Sequence, residues 1–178
     1  MELSTDQKGA IAESAIAHAA IKMGIGVYLP FAEGERYDLI LDLGSHLVRV
    51  QCKWAPLHGD VILVRAYSTR RTATGLRRRG HTAQEIDAIA AYCPEVDRCY
   101  YLPGERVVGR NEVALRIAPS RNNQAKGVNW AEDFAFERLR LGLPGAVAQL
   151  GERCDGIAEV RGSIPLGSIH DRLSGARM

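Results

Sequence analysis

The segment His46–Trp54 (HLVRVQCKW) constrains the fold of this chain more than any other. Val48, Val50 and Cys52 alternate with Arg49, Gln51 and Lys53, the period-two pattern of a strand with one apolar face. The other face carries a guanidinium, an amide and an ammonium, so it is chemically loaded rather than merely wet. Tyr37–Leu43 (YDLILDL) and Val61–Ala66 (VILVRA) are rich in branched apolar residues and read as two further strands. Gly44-Ser45 supplies a turn, and the short connections predict an antiparallel meander of these three.

Before them, Ser4 or Thr5 caps a helix whose inner face is Ile11, Ala15, Ile16, Ala19 and Met23, and Gly24 and Gly26 stop it. Gly26 to Phe31 reads as a short strand. After the meander, Ser68–His81 (STRRTATGLRRRGH) has no apolar periodicity and is expected to be an exposed loop. Thr82 and Glu85 form a capping-box pair, predicting a helix with Ile86, Ile89, Ala90 and Cys93 inside and Pro94 at its end. Arg98–Leu102 and Val113–Ile117 read as strands, and Trp130–Leu139 as a short helix anchored by Trp130, Phe134 and Phe136. The expected class is α/β, with helices flanking one mixed sheet.

At 178 residues and 46% hydrophobic, the chain suits one soluble domain, expected over 1–142. No apolar run approaches the roughly 20 residues that span a bilayer, and the N-terminus is not a secretory signal, so a cytoplasmic location without a membrane partner is expected. The four cysteines show no CxxC spacing and read as free thiols rather than zinc ligands. The net charge of +2 matters less than its distribution. Between Arg49 and His81 lie Arg49, Lys53, Arg65, Arg70, Arg71, Arg77, Arg78 and Arg79, with Asp60 as the only acid. That concentration of arginine points to a polyanionic partner, the plainer alternative being a solvated charged loop.

Asp38 opens one strand, Gln51 and Lys53 share a face of the next, and Glu13 sits in the first helix. Each alone has a commonplace reading as a turn, strand or helix surface residue. Together they suit hydrolysis of a phosphodiester, which needs a divalent cation, an activated water and stabilisation of charge at phosphorus. Asp38 is a hard anionic ligand for Mg²⁺. Gln51 and the backbone carbonyl of Cys52 can add oxygens, Lys53 can act on the water or the transition state, and Glu13 can hold a metal-bound water or second cation. Asp42 is a reserve ligand on the same strand face, and His81 could touch a nucleic acid.

The pattern resembles the PD-(D/E)xK nuclease superfamily, and within it the group I intron-associated homing endonucleases. The resemblance rests on KGAIAE (Lys8–Glu13), RYDLIL (Arg36–Leu41), RVQCK (Arg49–Lys53), EIDAIAAYCPE (Glu85–Glu95) and NNQAKGVNWAEDF (Asn122–Phe134), in that order. Tyr37 replaces the proline of the superfamily's name, and Gln51 its acid; glutamine is the residue of the homing branch. The resemblance implies a restriction-endonuclease-like core and Mg²⁺-dependent cleavage of double-stranded DNA, with Mn²⁺ as a substitute. One site per chain implies at least a homodimer to cut both strands, and the basic stretch makes Arg49, Arg65, Arg70, Arg71, Arg77, Arg78 and Arg79 the expected DNA contacts. The rival readings are a nuclease for branched DNA, akin to Holliday-junction resolvases, and a DNA-binding protein without catalysis.

Residues 143–178 show no useful helix or strand period and are expected to be a disordered tail. They resemble the conceptual translation of a bacterial tRNA gene. AQLGER (Ala148–Arg153) matches a D-arm and GSIP (Gly162–Pro165) a T-arm, at the separation those arms have in an intronless tRNA. The reading frame is therefore expected to run into a downstream tRNA gene.

Overall fold

The computed structural model describes residues 2–32, 34–73, 75–119 and 126–142, apart from the side chains of residues 70, 71, 141 and 142. The tail over 143–178 lies outside the described residues.

Helix α1 runs Thr5–Lys22. Ser4 caps it in a reciprocal box: Gln7 N donates to Ser4 Oγ at 3.2 Å and Ser4 N donates to Gln7 Oε1 at 2.9 Å. Gly24, at φ +78°, turns the chain out of the helix, a conformation that only glycine adopts at little cost. The fully buried positions are Ala12, Ile16 and Ala20, while Ile11, expected inside, is 38% exposed. The buried stripe is thus displaced by one residue toward small side chains, which let the helix lie close on the sheet.

The main sheet has the order β1 (Gly26–Tyr28), β2 (Leu39–Asp42), β3 (Leu47–Trp54), β8 (Ala88–Cys93), β9 (Arg98–Pro103). The first three are an antiparallel meander, β8 runs parallel to β3, and β9 is antiparallel to β8. Between β3 and β8 the chain forms β4 (Leu57–His58), β5 (Val61–Arg65), β6 (Tyr67–Thr72) and β7 (Gly75–Gly80). Beyond β9 come α2 (Gly104–Val107), β10 (Glu112–Arg116) and two 3₁₀ segments, Ala131–Phe134 and Phe136–Gly142.

This is the mixed α/β class expected, with four local departures. The strand beginning at Val61 does not join the meander. It pairs with β10 and β4 in a second, three-stranded sheet. Ile62, Val64 and Leu115 from that sheet share a core with Ile89, Ala91 and Cys93. The opposite core joins Ile16 and Ala20 of α1 to Leu39, Leu41, Val48, Val50, Cys52, Ala88 and Ala90. The main sheet is therefore covered by a helix on one face and by strands on the other.

The helix expected from Thr82 is one turn only, with Glu85 and Ile86 donating to the Thr82 carbonyl at 3.0 and 3.1 Å. The chain then extends into β8. Its run AIAAYC is buried on both faces, so it cannot alternate, and its apolar spacing coincides with that of a helix. The expected loop over 68–81 is largely the β6–β7 hairpin. The helix expected over Trp130–Leu139 is the two 3₁₀ segments, which send Phe134 into one core and Phe136 into the other, while Trp130 is half-buried. Gly104 is required where α2 begins, because a Cβ there would lie 2.9 Å from the Asp87 carbonyl oxygen.

Candidate active site

Asp38 stands where β2 pairing begins. Its N–H donates to the Val50 carbonyl at 2.9 Å, and its Oδ2 accepts from Cys52 N at 2.7 Å and from the Gln51 amide nitrogen. The side chain thus satisfies a backbone donor of β3 just past the end of the β2 ladder. The N–H and C=O of a residue in an antiparallel pair leave the strand on the same edge. The Cys52 carbonyl therefore faces the Asp38 side of β3, away from β8.

Gln51 and Lys53 share the strand face opposite the α1 core, in register with Ile89 and Ala91 of β8. Burial, above all, lowers the Lys53 pKa, against the pull of the Asp38 carboxylate. Burial is also the largest cause raising Asp38, opposed by the Cys52 N–H, Lys53 and Gln51. Glu13 arrives from α1; its pKa is raised by burial and then by the Asp38 charge, with Lys53 opposing. Asp38, Glu13 and Lys53 thus form one electrostatic unit assembled from β2, β3 and α1. Glu13 and Asp38 line an open concavity of about 340 Å³ whose rim includes Leu29, Phe31 and Glu35. Asp42 is engaged elsewhere, its Oδ1 accepting from Gly44 N at 2.8 Å in the β2–β3 turn.

The donors suit a hard divalent cation. Among the described residues no three Asp, Glu, His or Cys side chains converge as a metal cluster, so two carboxylates must be supplemented by neutral oxygens. The Gln51 side chain and the Cys52 carbonyl are placed beside Asp38 to do so, after an amide rotation that exchanges the Gln51 nitrogen for its oxygen. Burial raises both carboxylates by disfavouring their charged forms, only partly offset by Lys53, and a bound cation would add charge that favours those forms.

Behind this unit lies a second network. Arg36 donates to the Gly80 carbonyl at 3.1 Å, its Nη2 is 3.4 Å from His81 Nδ1, and its Nε pairs with Glu85 Oε1 at 3.2 Å. Glu85 also accepts from Arg79 and from Thr82 N. His81 is only 4% exposed and its Nε2 is 3.2 Å from Ser68 Oγ, so its ring serves the root of the hairpin and does not reach a surface ligand. Burial first, then Lys53 and Arg36, lower its pKa from 6.5 to about 4. The ring is neutral when folded, whereas the unfolded chain takes up a proton below its ordinary value. Stability should therefore fall as pH drops through the window from 6.5 to about 4. Urea midpoints at about pH 7 and about pH 5 should differ in the wild type and differ less in His81→Gln. An equal acid loss in the variant would place the sensitivity elsewhere.

The expected DNA-facing arginines divide. Arg49 is committed to partners within the fold: its Nε and Nη2 bind the two Asp87 oxygens at 2.9 and 2.8 Å, and its guanidinium also meets the Ala83 and Gln84 carbonyls. It ties β3 to the start of β8. Arg79 is committed to Glu85. Arg65 is exposed at the end of β5, opposite Glu112 in register. Arg77 and Arg78 are exposed on β7; Arg70 and Arg71 lie on β6, and their side chains are outside the described residues. Sequence spacing does not mark Asp87, Arg36 and Glu85 as network residues. Arg49 and Asp87 are 38 positions apart, and Arg36 lies 44 to 49 positions from Gly80, His81 and Glu85, so no local pattern reveals these pairings.

A family model described as PD-(D/E)XK endonuclease matches residues 3–137. The chain belongs to that family. Cys52, Cys93 and Cys99 of this nuclease are free and buried, as expected of structural thiols. Among solved structures it is similar to a bacterial homing endonuclease, I-Ssp6803I, with 26% identity and a TM-score of 0.62 over 83% of this chain and 99% of that one. No curated protein matches the chain. Among the described residues no helix is long and apolar enough to cross a membrane.

Proposed function

We propose that this endonuclease cuts double-stranded DNA with Mg²⁺, or Mn²⁺ in its place, and serves intron homing in the cytoplasm as at least a homodimer. The observation that carries the reading is the meeting of Asp38 with Gln51 and the Cys52 backbone, beside Lys53 and Glu13. The bound cation would polarise the scissile phosphate and supply charge to an attacking water. Asp38 and the Gln51 and Cys52 oxygens would hold it, with Glu13 reaching it through a water or holding a second ion. Lys53 orients the water or donates to the phosphate oxygen on which charge develops, and its partial burial strengthens that interaction. The pairing of Asp38 with Cys52 N fixes the carboxylate before substrate arrives, which limits reorganisation during the step.

The likeness to a homing endonuclease supports the homing role, and one site per chain requires two chains to cut both strands. Supercoiled plasmid and a pool of duplex sites incubated with Mg²⁺ or with EDTA test the proposal. Linear product with Mg²⁺ alone is expected, and cutting in EDTA would refute metal dependence.

The arginine hairpin should supply the nonspecific part of binding. Alanine at Arg77, Arg78 and Arg79 together is expected to weaken binding to every duplex and to flatten the salt dependence by about one unit of log–log slope per lost phosphate contact. Because Arg79 is paired with Glu85, the loss should fall short of three contacts, at about 0.9 unit for each phosphate contact removed. An unchanged slope would return the hairpin to solvated surface.

A further inference from the structure

The β6–β7 hairpin pairs Tyr67–Thr72 with Gly75–Gly80 in an uninterrupted antiparallel ribbon. The segment 67–80 contains five arginines and no acid. A two-stranded ribbon is one of the elements that the major groove, about 12 Å wide, admits. The two faces of this ribbon differ. On one, Ser68 meets His81 and Arg79 meets Glu85, so that face turns toward the domain at its root. The other presents Tyr67, Thr69, Leu76 and Arg78, with Leu76 70% exposed. On that outward face the Arg78 guanidinium carbon lies 4.9 Å from the centroid of the Tyr67 ring. Stacking fixes the plane of the guanidinium and reduces the rotamer freedom lost when its donors engage a ligand. Charge alone, by contrast, needs no fixed plane.

We propose that Arg78, held by Tyr67, is the specificity-determining residue of the ribbon, reading a guanine edge through O6 and N7 in the major groove, while Arg77 contributes charge to the backbone. The inference rests on the reading of the protein as a duplex-DNA binder, and it assigns different roles to adjacent arginines that sequence treats alike. Leu76 on the same face would lie against the base edges, where apolar contact is available at a thymine methyl.

The test is a binding selection from a randomised duplex pool in EDTA, so that cleavage is not required. Wild type is compared with Arg78→Lys, Arg78→Ala, Tyr67→Ala and Arg77→Ala, each checked for folding by its melting temperature. Wild type should select a G·C pair at one fixed position of each half-site. Arg78→Lys keeps the charge and loses the fork, so preference at that position should fall roughly tenfold to a hundredfold, with other positions and the salt slope unchanged. Tyr67→Ala should relax the same position, and Arg77→Ala should weaken all sequences equally. An unaltered selection profile in Arg78→Lys, a loss spread evenly over positions, or wild-type binding without preference would overturn the proposal. Should wild type select its site yet fail to cut with Mg²⁺, the nuclease reading falls while the assignment of Arg78 is still decided by the profile.

Discussion

Lys53→Ala is expected to reduce cleavage of a duplex substrate by about 10²- to 10⁴-fold with little change in duplex affinity. The range is that for removing a group that moves a proton or stabilises developing charge. Affinity should survive because, on the proposed reading, the exposed arginines of β7 and not this partly buried ammonium hold the duplex. Two quantities separate a chemical role from a structural one. Single-turnover rate should collapse while Kd stays put. Lys53→Met, which keeps the aliphatic stem and loses only the charge, should be as inactive as the alanine variant while melting close to wild type. A variant of either kind that cuts at the wild-type rate would remove Lys53 from the site.

Asp38→Asn should lower cleavage by orders of magnitude, because it takes away the anionic oxygen best placed for a hard cation, leaving one carboxylate and neutral donors. The same substitution should stabilise the metal-free protein at neutral pH. The Asp38 pKa is raised by burial, so between its ordinary value and its folded one the native state holds more protons than the unfolded state. Stability from this group is lost as pH rises through that window, and above it the ionised carboxylate is a net cost. Asparagine keeps an acceptor for Cys52 N and removes the charge. Wild type should therefore melt lower than Asp38→Asn in EDTA, and Mg²⁺ should raise the melting temperature of wild type far more than that of the variant. Full recovery of cutting by moderate Mg²⁺ would move the ligand role elsewhere. Asp42, the next carboxylate along β2, is then the candidate, although it must first leave Gly44 N.

The geometry of Asp38 and Glu13 shows how a site with glutamine in place of an acid can still suit metal chemistry. Gln51 adds no charge, and the Asp38 charge already raises the Glu13 pKa without a cation present. A third acid would increase that repulsion. The cost of the glutamine falls on metal affinity, which is where the Mg²⁺ titration would show it.

Much of the site is legible in the sequence because it depends on local periodicity. Gln51 and Lys53 are two residues apart on a strand whose other face is apolar, so their common direction follows from the pleat alone. A short turn between β2 and β3 brings Asp38 opposite Gln51, and only one register keeps both apolar faces inward. The Ser4 cap and the Gly24 stop are likewise local chemistry.

What tertiary structure alone decided is where long-range partners compete with local preference. Ala88–Cys93 carries a helical spacing of apolar residues, yet burial on both faces between β3 and β9 makes it a central strand. Val61–Arg65 looks like the third strand of a meander, yet it pairs with β10, far along the chain, where both of its apolar neighbours can be covered. Arg49 looks like its neighbours in a basic run, and becomes structural only because folding brings Asp87, 38 residues on, to it. Pattern along the chain sets which way a side chain points, since the backbone period is fixed by sterics. What that side chain meets is set by residues distant in sequence, and no local period encodes them.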